Sequence, residues 1–312
     1  MALRFATAFA PASIGNVAVG FDVLGQSFPV LGDRVRAELS SLPGVRIAAI
    51  SGLAGDLPHE PEQNTAGRAV QSLLAATGIA SGIALAIEKG IPLGSGLGGS
   101  AASAVAAVVA ANELLGRPCS RAELLAHAVA GETVASGSRH ADNVAPALFG
   151  GLVVTVGIDP AQVQRIPVPP AVRCVVVHPK MFLSTREARR ILRPEVRLED
   201  AIRQLANLAG LIAGCHANDL GLIRASLEDV MIEPQRAGLI PGFAEVKAAA
   251  LAGGALGCSI SGAGPSVFAW CEEAMAPAVS DGMTAAFARY ALDATAHVAP
   301  VGDDGAHILD RG

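Results

Sequence analysis

Four glycines interrupt the run Ile91-Pro92-Leu93-Gly94-Ser95-Gly96-Leu97-Gly98-Gly99-Ser100-Ala101-Ala102-Ser103. Glycine tolerates φ > 0 and lets a backbone approach a ligand closely. An alanine-rich helical pattern, Ser100–Leu115, follows at once. The first N–H groups of such a helix lack intrahelical acceptors, and its dipole is positive at that end. The segment therefore reads as an anion cradle, for which a nucleoside triphosphate is the usual guest. Ser100 stands where a hydroxyl caps the helix or reaches a metal bound to the phosphates. A G-x-x-x-x-G-K-[ST] loop is excluded, because no Lys stands at its place. Gly94-x-Gly96-x-x-Gly99 fits a dinucleotide loop formally. However, Pro92 separates it from the preceding strand, and no strand ending in an acid follows around Arg117–Ser120. A glycine turn with a serine cap stays open on these residues alone.

Other polar residues could serve a zwitterionic ligand. Asp22 can pair an ammonium, and Asn16 offers both donor and acceptor. Taken singly, each also suits a turn, Asp22 as its cap and Asn16 in the left-handed conformation. His140 and Asn143 can equally belong to a self-satisfied turn.

The elements that must position these groups alternate irregularly. Leu3–Ala10, Arg34–Leu39 and Val45–Ile50 read as strands, the last two separated by a turn at Ser40–Gly44. Asn64–Thr77 predicts a helix with Ala66, Val70, Leu73 and Leu74 on one face. Ile83–Glu88 is a short strand before the glycine loop. Gly116 and Pro118 stop the helix that follows, and Arg121–Ser136 forms the next one. Gly151–Val156 reads as a buried strand. Pro160–Pro170 holds four prolines and reads as a linker. Beyond it come a strand at Arg173–Val177 and helices at Ser184–Leu192, Leu198–His216 and Asp219–Met231. Phe243–Ala252, Ser259–Gly262, Val267–Cys271 and Glu273–Tyr290 make a helix–strand–strand–helix run, and His297–Val301 adds a strand. Without regular βαβ alternation the fold class is α+β, in two domains, 1–160 and 161–312.

Composition narrows the function classes. The 312 residues are 51% apolar and only 16% charged, which excludes a disordered chain. Net charge is −5, and no basic block offers a track for nucleic acid. The only lysines are Lys89, Lys180 and Lys247. Arginine predominates, and it suits bidentate grips on carboxylate or phosphate; a high-GC codon bias explains the excess equally well. Five scattered cysteines without a C-x-x-C pair argue against disulfides and zinc, and fit a reducing compartment. Met1–Ala10 is apolar but reads as a strand rather than a leader. Ala248–Cys271 has no charge, yet its glycines and Pro265 fit a soluble core better than a membrane span. A cytoplasmic location is expected, without membrane contact.

The complete loop, P-x-G-x-G-L-G-x-S-[SA]-[AS], resembles the phosphate loop of the GHMP kinases, although many members carry Ser where Gly99 stands. The resemblance continues in order along the chain and is strongest to the homoserine kinases. Ala10-Pro11-Ala12-Ser13-Ile14-Gly15-Asn16-Val17-Ala18-Val19-Gly20-Phe21-Asp22-Val23-Leu24-Gly25 is similar to their opening motif, with Gly15 for Ala and Ala18 for Gly. His140-Ala141-Asp142-Asn143-Val144-Ala145-Pro146 resembles H-x-D-N-x-A-P, Thr185–Arg189 resembles T-x-x-A-R, and Glu233–Arg236 resembles E-P-x-R. Ser261–Ser266 is similar to S-G-[AS]-G-P-[ST].

That resemblance implies a ribosomal protein S5 domain 2-like N-terminal domain that binds ATP and a ferredoxin-like C-terminal domain. It implies transfer of a phosphoryl group from ATP to L-homoserine, a step toward threonine, by a homodimer. It places ATP on Pro92, Leu93, Gly94, Ser95, Gly96, Leu97, Gly98, Gly99, Ser100, Ala101 and Ala102, with Asn64 at the adenine. Mg²⁺ falls to Ser100 and Glu132. Substrate falls to Asn16, Asp22, His140, Asn143, Arg189 and Arg236, with Asn143 or Thr185 orienting the hydroxyl and Arg189 and Arg236 at the carboxylate. Several relatives carry a catalytic Asp near position 143, where Asn cannot act as a base, so transfer without a protein base is expected. A GHMP kinase for another alcohol, shikimate or mevalonate-like, and a silent metabolite sensor remain the alternatives.

Overall fold

In the computed structural model, which describes residues 3–312 apart from residues 55, 138, 158–160 and 303, two sheets organise the chain. The first has seven strands. β1 (Phe5–Gly15) and β2 (Leu24–Ser40) pair antiparallel, and β3 (Val45–Gly52), β4 (Gly82–Lys89), β5 (Leu152–Val156), β6 (Gln162–Ile166) and β11 (His307–Arg311) complete it. The path runs β11-β1-β2-β4-β3, with β5 joining β2 and β6 joining β5. The second sheet has the order β10-β7-β9-β8, from β7 (Val172–Pro179), β8 (Gly257–Ile260), β9 (Val267–Glu272) and β10 (Ala294–Pro300).

Helices α1 (Thr65–Thr77), α2 (Gly99–Leu114), α3 (Arg121–Ser136) and α4 (Val144–Phe149) belong with the first sheet, and α2 packs on β1 and β2. Every residue of α2 from Ala101 to Leu114 is buried. A helix apolar on all sides belongs in a core, and its alanines let the neighbouring strands approach closely. α5 (Thr185–Arg190), α6 (Leu198–Ala217), α7 (Leu220–Ser226), α8 (Glu233–Arg236), α9 (Phe243–Ala252) and α10 (Ala276–Ala288) follow. Phe243, Val246, Met283 and Phe287 form a second core beneath the four-stranded sheet. Trp270 on β9 packs into the first core and donates its indole N–H to Gln26 Oε1 on β2 at 2.8 Å, tying the two sheets together.

The α+β class is as expected, and most elements lie where the sequence places them. β2 is longer than the expected Arg34–Leu39, because Leu24–Gln26 also pairs with β5. Within the expected linker, Gln162–Ile166 is instead a strand; its prolines flank it, and its hydrogen bonds go to β5. The expected division after residue 160 falls on an undescribed residue; β6 and β11, both beyond it, lie in the first sheet. α7 stops at Ser226, short of the expected Met231. Asp229 takes the N–H groups of Met231, Ile232 and Glu233 instead, which starts a separate turn. Among the described residues no helix is long and apolar enough to cross a membrane. The uncharged stretch 248–271 is a helix end and two strands.

Candidate active site

The glycine loop joins β4 to α2 and lines a cleft of about 460 Å³. Its carbonyls are turned into the protein. Gly94 O accepts from Leu183 N–H at 3.1 Å, Ser95 O from Ser266 N–H at 3.1 Å, Gly96 O from Ser261 Oγ at 2.8 Å, and Leu97 O from Ser13 N–H at 3.1 Å. What the loop can present to the cleft is therefore its amides. Among the described residues, the N–H groups of Gly96, Gly98, Gly99 and Ser100 meet no protein acceptor. Converging amides at a helix N-terminus make an anion site. Gly96 and Gly98 sit at φ +77° and +65°, and a Cβ on either would strike Gly264 O or Ser13 Oγ. Leu97, Ala101 and Ala102 are fully buried, so only their backbone can face a ligand.

Ser100 does not cap α2. The N-cap is Gly98, and the Ser100 hydroxyl instead donates to Glu132 Oε1 on α3 at 2.9 Å. Burial pushes the Glu132 carboxyl up to about 7, against the lowering effect of that hydrogen bond. Asn64 is the N-cap of α1. Its Oδ1 accepts from Ala66 and Gly67 N–H, and its Nδ2 donates to Pro58 O, yet it also lines the cleft.

His140, Asn143 and Thr185 line the same cleft. His140 Nδ1 lies 2.7 Å from Asp142 Oδ1, while Asn143 Nδ2 donates to Asp142 Oδ2 at 3.1 Å. Each oxygen of Asp142 thus meets one neighbouring side chain. Burial lowers the His140 pKa, but the Asp142 hydrogen bond, with the charges of Asp142, Asp22 and Glu132, outweighs it and leaves the imidazole raised. Among the described residues, the buried His140 Nε2 has no hydrogen-bond partner. Asn143 Oδ1 accepts from Ser13 Oγ at 2.9 Å.

Asn16, Asp22, Arg189 and Arg236 gather beside the cleft, at Gly262. Asn16 Nδ2 and Arg236 Nη1 both donate to Gly262 O, at 3.0 and 2.9 Å. Asn16 Oδ1 accepts from Asp22 N–H, so both ends of the Asn16 amide are used by the protein, at φ +69°. Asp22 Oδ1 accepts from Arg189 Nη2 at 2.6 Å. The Arg189 and Arg236 guanidiniums each stand 5.3 Å from the Phe21 ring centroid, a distance suited to cation–π contact. Among the described residues, the buried Arg189 Nε has no hydrogen-bond partner. One ligand-type atom each from Asp22, His140 and Asp142 lies within 4.8 Å of the others. The sequence-predicted residues are therefore assembled as two adjoining groups, one at the loop and one around Asp22.

Three residues at the site escape sequence reasoning. Lys89, at the end of β4, is buried under the loop and paired with buried Asp33 on β2. Its sequence mark is that it is the only Lys before Lys180. Phe182 covers Gly94 from the β7–α5 connection and carries no motif.

Comparisons with known proteins bear on this geometry. Residues 64–151 match the family of GHMP kinases N terminal domain, and residues 211–289 match GHMP kinases C terminal. A homoserine kinase of Xanthomonas campestris is 53% identical over 308 residues, covering 98% of this chain and 95% of that protein. A crystal structure of homoserine kinase from Cytophaga hutchinsonii superposes with a TM-score of 0.94 at 43% identity, covering 98% of each chain. A mevalonate kinase of L. major, at 16% identity and TM-score 0.65, shares the fold over 89% of this chain and 90% of that one.

Proposed function

The chain belongs to the homoserine kinases of the GHMP kinase family, and from that premise we propose that it transfers the γ-phosphoryl group of ATP to the side-chain hydroxyl of L-homoserine, giving O-phospho-L-homoserine and ADP. One observation carries the substrate assignment. The carboxylate of Asp22 and the guanidinium of Arg189 meet at 2.6 Å beside two buried nitrogens, Arg189 Nε and His140 Nε2, that find no hydrogen-bond partner among the described residues. Buried polar groups without partners are costly. A ligand carrying both an ammonium and a carboxylate can satisfy opposite charges at one place, and Arg236, which like Arg189 stands 5.3 Å from the Phe21 ring centroid, is near enough to share the carboxylate.

ATP lies along the glycine loop, its phosphates on the free amides and its adenine toward Asn64. Ser100 and Glu132 would hold Mg²⁺. Their two oxygens already adjoin, and hard oxygen donors suit that ion. A divalent cation would also favour the ionised form of a carboxyl that burial keeps near pKa 7. When bound, Mg²⁺ neutralises charge on the transferring phosphoryl group.

A loose phosphoryl-transfer transition state asks for alignment and charge stabilisation more than for covalent help. The Asp22 group fixes the amino-acid end of the substrate, which sets where its hydroxyl meets the γ-phosphate. Thr185 and Asn143 face the shared cleft and can orient that hydroxyl. Asp142 is buried, is held by His140 and Asn143, and is not among the described residues that line the cleft, which supports transfer without Asp142 as a base; the hydroxyl proton then leaves late, toward the phosphate oxygens.

The test is ADP release from Mg·ATP with L-homoserine, with phosphohomoserine identified by phosphorus NMR. Product with homoserine and none with shikimate or mevalonate supports the assignment. ATP binding without product sinks it.

A further inference from the structure

Lys89 and Asp33 form an ion pair that is almost wholly removed from solvent, directly beneath the glycine loop. Well-packed apolar residues often replace such a pair without loss of stability, so stability alone gives no account of it. Its contacts do. Asp33 Oδ1 accepts from Gly90 N–H at 3.0 Å and Ile91 N–H at 3.2 Å, where the chain leaves β4 for the loop. Asp33 Oδ2 accepts from Ser103 Oγ at 2.7 Å and from Lys89 Nζ. Lys89 Nζ also donates to Ser103 Oγ at 2.8 Å and to Gly99 O at 2.7 Å, where the loop becomes α2. An ammonium has three protons, and all three are engaged, on Asp33, Ser103 and Gly99. Lys89 lines the cleft, but with its three protons engaged it acts on a ligand chiefly through the loop.

We propose that Asp33 and Lys89 are positioning residues that clamp both ends of the phosphate loop to β2, so that its amides are aligned before nucleotide arrives. A loop with four glycines is otherwise conformationally free, and ordering it on binding would weaken affinity. The clamp grips the two ends, while Ser13, Leu183, Ser261 and Ser266 hold the carbonyls between them. The inference rests on the kinase reading only in taking a nucleotide as the loop's ligand.

The test is a neutral double variant, Asp33→Asn with Lys89→Met. It removes both buried charges together, keeps an acceptor for Gly90 and Ile91, and releases the Gly99 end. Thermal melting checks that it folds, and calorimetry measures its affinity for Mg·ATP without acceptor. A rise in Kd of about tenfold or more, with KM for ATP rising in parallel and KM for homoserine unchanged, is expected. A folded double variant that binds Mg·ATP like the wild type overturns the proposal. If the variant does not fold, hydrogen exchange on nucleotide-free wild type decides. Gly90 and Ile91 amides are expected to exchange as slowly as those of β4, and exchange at unprotected rates overturns the clamp. Wild type that binds Mg·ATP but does not phosphorylate homoserine defeats the kinase assignment alone and leaves this measurement intact.

Discussion

Ser100 Oγ donates to Glu132 Oε1 across 2.9 Å, joining the first turn of α2 to the last turns of α3 at the mouth of the phosphate loop. The bond fills neither role of a helix cap nor of a surface pair. It sets two oxygens side by side in a place where burial disfavours charge.

That environment makes metal-free stability depend on pH. The Glu132 carboxyl is raised from 4.5 to about 7 in the folded state. Between those values the folded protein keeps a proton that the unfolded chain has released, so this contribution is full below 4.5 and is lost as pH rises through about 7. The loss is of the order of 3 kcal/mol. In melts with EDTA, Glu132→Gln is expected to be more stable than wild type at pH 8 and to lose that advantage by pH 4.5. Mg²⁺ should then stabilise wild type at pH 8 and leave Glu132→Gln unmoved. Equal pH slopes for the two proteins would refute the assignment.

Arg189→Lys keeps the charge but not the planar fork that meets Asp22. KM for homoserine is expected to rise roughly 10- to 100-fold, an energy of about 1.4–2.7 kcal/mol, with KM for ATP within twofold. Steady-state kinetics with each substrate varied in turn would separate the two. A larger effect on ATP would move Arg189 to the nucleotide.

Asp142→Asn tests transfer without a base. General-base removal costs roughly 10²- to 10⁴-fold. Here kcat at saturating substrate is expected to fall by less than about tenfold, because Asp142 faces His140 and Asn143. His140 should titrate at lower pH by NMR, since Asp142 is the leading influence that raises it. A folded variant with normal substrate affinity and no turnover would make Asp142 the base.

Two glycines of the loop should respond oppositely. Gly98 sits at φ +65° with Ser13 Oγ in the way of any Cβ, so Gly98→Ala is expected to cost about 2 kcal/mol or more and to abolish nucleotide binding. Gly99 has ordinary helical φ, and its Cβ would lie 3.2 Å from Ile91 Cγ2 and 3.6 Å from Lys89 Nζ. Gly99→Ser should fold with a change of about 1 kcal/mol or less and bind Mg·ATP at least as well. Calorimetry on both variants checks the contrast.

Much of this was legible in one dimension, because it is local. Glycine spacing, the helix that follows and the stops at Gly116 and Pro118 act over a few residues, so the loop and α2 appear where the sequence puts them. Periodicity likewise located α1, α3 and α6. The β6 strand was hidden by its flanking prolines, and β11 by its distance from the partner strand β1. Strand pairing is decided by a neighbour that local composition does not reveal.

By itself the sequence determined the family, the anion-binding loop and the residue types around it, because motif order and glycine spacing survive without coordinates. Only the tertiary structure decided what those residues touch. It tied the Asn16 amide and the Asp142 carboxylate to protein partners, gave the Ser100 hydroxyl to Glu132, and set Asp22 against Arg189, 167 residues away. It also buried Lys89 beside Asp33, 56 residues away, at both ends of the loop. Hydrogen bonds and ion pairs act over about 3 Å of space, and only folding decides which residues lie that close.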